Sequence, residues 1–178
     1  MTDAKMTDRL AWEMLRFNRM DPARMQHLLK VHCFARMIGL GEQLDEHTQF
    51  VTECAALVHD IGIRPAEEKY GACDGRLQEQ EGPFHARVLL EKLGFAPADV
   101  DRICYLVGHH HTYTGIDGPD YQILVEADFL VNFYEDGLGA EAVRKAYAKI
   151  FRTKTGKELC RLAYPVGEEP DAGNTPRE

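Results

Sequence analysis

The chain has 178 residues, 44% hydrophobic and 28% charged, with a formal net charge of −8. Such a length suits one domain around one core, and such a composition an ordinary globular protein. The acidity argues against a binder of nucleic-acid polymers, which needs a basic face, but not against a small phosphorylated substrate held by a metal and a few local Arg or Lys side chains.

Taken in chain order, the apolar periodicity is helical almost throughout. A first helix is predicted over about 8–19, with Leu10, Met14, Leu15 and Phe17 in phase. Asp21-Pro22 reads as an N-cap followed by proline at the first helical position. The helix it starts carries His27, Val31, Phe34, Ala35 and Ile38 on one stripe and stops near Gly39–Gly41. A third helix is predicted over about 45–61 and a polar, weakly helical stretch over 64–80. A fourth helix follows over about 83–93, beginning at Pro83, and a fifth from Pro97 through His110. Thr112–Pro119 is predicted as a loop, either a lid or an ordinary connection. A sixth helix runs over about 121–134, and one or two more lie between Gly139 and Leu162. No strand alternation stands out, so the predicted class is all-α, with one domain over 1–164 and a disordered Pro- and Gly-rich tail from 165 to 178.

No apolar run approaches the roughly 18 residues of a membrane span, and the polar Met1–Leu10 segment is unlike a signal peptide. Five cysteines without a CxxC pair read as reduced thiols, with Cys33, Cys54 and Cys104 in the core. The expected compartment is the cytoplasm. Trp12, Met14, Met20 and Met25 read as core or helix-packing surface.

The chemistry lies where ionisable residues interrupt apolar stripes. His27 precedes Val31 by four residues, His110 follows Val107 by three, and Asp128 follows Leu124 by four. A carboxylate facing a helical core is costly unless paired or metal-bound. Three such residues on separate helices, with an adjacent His59-Asp60 pair at a helix end, point to a metal site more readily than to a structural polar cluster. Imidazole and carboxylate without thiolate suit Mn, Fe, Co, Ni, Zn or Mg in a catalytic centre. Ligands spread along the chain favour a site between the helices of a bundle.

The three segments Arg24-x-x-His27-x-x-x-Val31, Val58-His59-Asp60-Ile61-Gly62 and Glu126-Ala127-Asp128 resemble, in order and spacing, the motifs of the HD superfamily of metal-dependent phosphohydrolases. The resemblance spans about residues 20–135. It implies a bundle of about six to eight helices, with His27, His59, Asp60 and Asp128 as metal ligands. His32 is a rival for the first position, but Val31 stands where the family pattern wants an apolar residue after His27. The resemblance also implies hydrolysis by metal-activated water, with Asp60 orienting the water and His110 or His109 serving the phosphate.

Some family members hold a second metal with two further histidines. Here His110, then His109, is the candidate from the fifth helix. At the other position the chain departs from the pattern, offering Glu81 or, one turn on, His85. Arg64, Lys69 and Arg76 are candidates for the phosphate, although Ile63 stands where the family often has a lysine. The expected substrate is a nucleotide or another small phosphate ester, and a homodimer is left open. Two rival readings remain: a di-iron oxygenase of HD type, and a non-catalytic module that binds metal or nucleotide.

Overall fold

The computed structural model describes residues 3–167. Nine helices occur in chain order among these residues: α1 (Asp3–Phe17), α2 (Pro22–Gly41), α3 (Glu46–Val58), α4 (Ile63–Tyr70), α5 (Gly75–Leu93), α6 (Pro97–Val107), α7 (Pro119–Glu135), α8 (Ala140–Ile150) and α9 (Lys154–Ala163). No strand is present among the described residues, as the all-α pattern predicts. The disorder expected of the tail falls almost entirely on residues outside the described ones. No described helix is long and apolar enough to cross a membrane.

The bundle is organised around α3. Every residue from Gln49 to Val58 is buried, the mark of a helix enclosed on all sides. Asp45 caps it, its carboxylate accepting from the His47 and Thr48 backbone N–H groups. Helix α2 packs along both α3 and α7, through the stripe Leu28, Val31, Ala35 and Ile38. Asp21 starts α2 by accepting the Arg24 N–H at 3.0 Å. Cys33 lies about 200° around α2 from Val31 at 3.6 residues per turn and is exposed, contrary to the expectation of a core thiol. Cys54, Cys104 and Cys160 are buried. Met14 is in the core, whereas Trp12 and Met20 project to solvent.

The largest revision concerns α5. Its N-cap is Asp74, which accepts the Leu77 N–H at 2.8 Å, so the helix begins well before Pro83 and carries that proline inside it. Gly82 and Pro83 read as a helix break in the sequence. They serve instead as a close-packing surface: a Cβ on Gly82 would stand 2.6 Å from Val107 Cγ1, and one on Gly108 would stand 3.0 Å from Pro83 Cγ. The polar stretch before α5 contributes the short helix α4.

The turn His59–Gly62, between α3 and α4, presses on α5 without side chains between them. A Cβ on Gly62 would lie 2.5 Å from the Gln78 carbonyl oxygen and 2.8 Å from the Gly82 nitrogen. Backbone cannot yield there as a flexible side chain would. Gly62→Ala should therefore cost about 2 kcal/mol, as overpacking does, or roughly 4–8 °C in Tm for a chain of this size. Thermal denaturation checks this, and an unchanged Tm would show that the contact has slack.

Candidate metal centre

Four helices deliver polar side chains to one buried point. His27 comes from α2, His59 and Asp60 from the turn closing α3, Asp128 from α7, and His110 from the segment that leaves α6. His59 and His110 are essentially inaccessible, at 0% and 1% exposure, and His27 and Asp128 are also buried.

The distances are even. His27 Nε2 lies 3.2 Å from His59 Nε2, 3.3 Å from Asp60 Oδ2 and 3.3 Å from Asp128 Oδ1. His59 Nε2 lies 3.5 Å from each of the same two oxygens. Donor atoms held about 2.1 Å from one ion are spaced about 3.0 Å along an octahedral edge and about 3.4 Å along a tetrahedral one.

The hydrogen bonds fix which atoms carry lone pairs. His59 Nδ1 donates to the Ala56 carbonyl at 2.8 Å. His110 Nδ1 donates to the Val107 carbonyl at 2.8 Å, and His27 Nδ1 to the Glu135 carboxylate at 2.7 Å. All three neutral rings then turn Nε2 lone pairs inward, toward carboxylate oxygens. His110 Nε2 and Asp128 Oδ1 are buried with no hydrogen-bond partner among the described residues. Lone pairs facing lone pairs in a largely buried site call for positive charge between them. The donor atoms of His27, His59 and Asp60 all lie within 4.8 Å of one another, and Asp128 Oδ1 faces both imidazoles from α7; these residues fit a divalent cation and would hold it.

In its absence protons supply the charge. Burial pushes the His59 imidazole down, but the carboxylates of Asp60 and Asp128 outweigh it and raise its pKa to about 9. His27 is raised as well, against its own burial, chiefly by Asp128. Despite burial, His59 and His110 hold the Asp60 carboxyl, and His27 and His59 the Asp128 carboxyl, far below the usual carboxylate range.

The family model for the HD domain matches residues 24–152. The chain belongs to the HD domain family. The crystal structure of a predicted HD superfamily hydrolase from an uncultured Thermotogales bacterium is similar to it, with a TM-score of 0.59 and 26% identity over 89% of this chain and 83% of that one. No functionally curated protein matches the sequence.

The HD pair, His59-Asp60, thus sits at the junction of two donor groups. Asp60 Oδ2 faces His27 and His59, while Asp60 Oδ1 lies 3.4 Å from His110 Nε2. Asp60, His110 and His111 form a second set of close donor atoms. His111 was not singled out by periodicity, because α6 ends at Val107 and helical phase stops predicting direction beyond the Gly108 cap. Its Nε2 contacts Gln78 Oε1 at 2.9 Å, and its backbone N–H donates to Glu79. Burial, with a smaller electrostatic contribution from the neighbouring His110, lowers the His111 pKa to about 4.

The remaining sequence candidates lie elsewhere. His109 stacks on Tyr105 and donates from Nδ1 to the Tyr105 carbonyl. Glu81 accepts from Lys69 and Tyr70 at the surface, and His85 lines an apolar cavity of about 490 Å³ with Phe17 and Phe84. The earlier start of α5 explains both: Gln78 and Glu79 reach the histidine segment instead. His32 pairs with Glu53 on another side of α2, beside a cavity of about 450 Å³. Arg64 donates to the Phe17 carbonyl, and Lys69 is paired with Glu81. Arg76 is exposed on the first turn of α5, next to Gly75, whose Cβ would meet the His111 ring at 2.8 Å.

A cation must displace the proton that His59 holds below about pH 9. Affinity for Mn²⁺ should therefore climb as pH rises from 6 to 8, by about tenfold per unit for one displaced proton. Competition titrations against a chelating dye check this, and a flat profile would contradict the arrangement of donors.

Proposed function

We propose that the protein is a metal-dependent phosphohydrolase acting on a nucleotide or another small phosphate ester. Membership of the HD family and likeness to an HD superfamily hydrolase support hydrolysis. The observation that carries the reading is the unpartnered His110 Nε2 beside Asp60 at the edge of the four-donor centre. A divalent ion held by His27, His59, Asp60 and Asp128 would supply Lewis acidity toward a phosphate oxygen and a more acidic water.

The chain's own residues would do the rest. His110, its Nδ1 anchored on a backbone carbonyl, offers Nε2 to donate to or take a proton from the reacting phosphate. Asp60 bridges the centre to His110 and can hold the attacking water by a hydrogen bond. His111, neutral near physiological pH, adds an acceptor or a donor to a second cation. Tyr113 meets Phe129 edge to face, and its hydroxyl lies 3.5 Å from His111 Nδ1. Its pKa is raised to about 12 by burial and by the Asp128 charge, so it stays a neutral donor. Among the phosphate candidates, Arg76 is the most available, since Arg64 and Lys69 are engaged elsewhere.

The oxygenase reading needs the fuller ligand set, and neither Glu81 nor His85 reaches the centre. A binding module without turnover would retain phosphate ligands without hydrolysing them.

Metal analysis of purified protein, followed by a phosphatase and phosphodiesterase screen with Mn²⁺, Mg²⁺, Co²⁺ and Ni²⁺, tests the proposal. His59→Ala and Asp60→Ala should each abolish metal retention and turnover together. His110→Ala should keep a metal at the four-donor site and lower kcat by about a hundredfold, the scale of a lost acid or base. Full activity in any of the three would refute these roles.

A further inference from the structure

We infer that Glu135, aimed by Lys30, is a positioning residue that sets the cation affinity of the centre through the His27 ring. The inference rests on the metal centre described above and goes beyond its ligands. Asp128 and Glu135 are seven residues apart on α7, hence on one face, and His27 and Lys30 are three apart on α2. Packing of α2 on α7 therefore makes two contacts at once. His27 Nε2 meets Asp128 Oδ1 at 3.3 Å, and His27 Nδ1 donates to Glu135 Oε2 at 2.7 Å. The other Glu135 oxygen accepts from Lys30 Nζ.

Two features argue that Glu135 is there for the ring rather than for the helix. It is the last residue of α7, where the helix dipole disfavours an acidic side chain by about 0.3–1 kcal/mol. Its pairing with Lys30, at 40% and 28% side-chain exposure, is of the kind worth about 0–1 kcal/mol. The histidines also differ among themselves. His59 and His110 anchor Nδ1 on neutral backbone carbonyls, whereas His27 anchors it on a carboxylate. A carboxylate acceptor fixes the tautomer and orientation and makes Nε2 more basic, and losing such a partner costs about 10–100-fold in metal affinity.

The test is Mn²⁺ affinity, by chelator competition on the full chain, for Glu135→Ala, Glu135→Gln and, as a charge control, Asp136→Asn. Thermal denaturation of the metal-free proteins runs alongside. Glu135→Ala should bind Mn²⁺ about 10–100-fold more weakly with its metal-free Tm essentially unchanged. Glu135→Gln should fall between, because its amide oxygen still accepts from Nδ1 without the charge. Asp136→Asn should stay within about twofold of wild type, since its carboxylate does not reach the ring. Wild-type affinity in Glu135→Ala, or an equal loss in Asp136→Asn, would overturn the inference while leaving the centre intact. Failure of the wild type itself to bind Mn²⁺ would overturn both.

Discussion

Two imidazole nitrogens and two carboxylate oxygens share a buried space only a few ångströms across, and their lone pairs face one another. Among the described residues no protein donor answers Asp128 Oδ1, and each ring spends its N–H in the neutral state on an anchor outside the cluster. Positive charge is the remaining solution. Below about pH 9 a proton on His59 provides part of it. A divalent ion provides it more completely, and the spacing of the donors matches the edge of a coordination polyhedron. The rest of the structure depends on meeting this requirement with precision.

That precision comes from close contacts at the edges of the centre. The His59–Gly62 turn lies backbone against backbone on α5. The segment carrying His110 and His111 is held from two directions. The Tyr121 hydroxyl sits between the His109 and Thr112 carbonyls and shares its one proton with them, and Glu79 takes up the His111 N–H and the Thr112 hydroxyl. Arg102 ties the far end of the same loop by pairing with both Asp117 and Asp120. On α7, the wholly buried Glu126 accepts from the backbone of Arg152 and Thr153, joining α9 to the helix that carries Asp128. His59, Asp60, His110 and Asp128 therefore sit on elements fixed by neighbours outside the candidate centre.

Much of this was legible in the sequence, for identifiable reasons. His27 and Asp128 lie inside regular helices, where a 3.6-residue period states which face a residue occupies, and both face inward as expected. Reading failed where the period stops. His109, His110 and His111 follow the end of α6, so phase could favour His110 but could not rank His109 below His111. Reading also failed at Gly82-Pro83, where break-forming residues hide a continuous helix. That mistake displaced attention to Glu81 and His85 and concealed Gln78 and Glu79. Glu135 was the accessible omission, since its seven-residue distance from Asp128 places it on the same face. A charged residue at a helix end looks like solvated surface until its partner on another helix is known.

The central claim is that one cation sits among His27 Nε2, His59 Nε2, Asp60 Oδ2 and Asp128 Oδ1. Anomalous diffraction from crystals grown with Mn²⁺, collected on both sides of the manganese edge, addresses it most directly. The account predicts a strong anomalous peak about 2.1 Å from all four atoms. Crystals in which that space holds no anomalous scatterer at saturating Mn²⁺, with the four side chains turned apart, would contradict it.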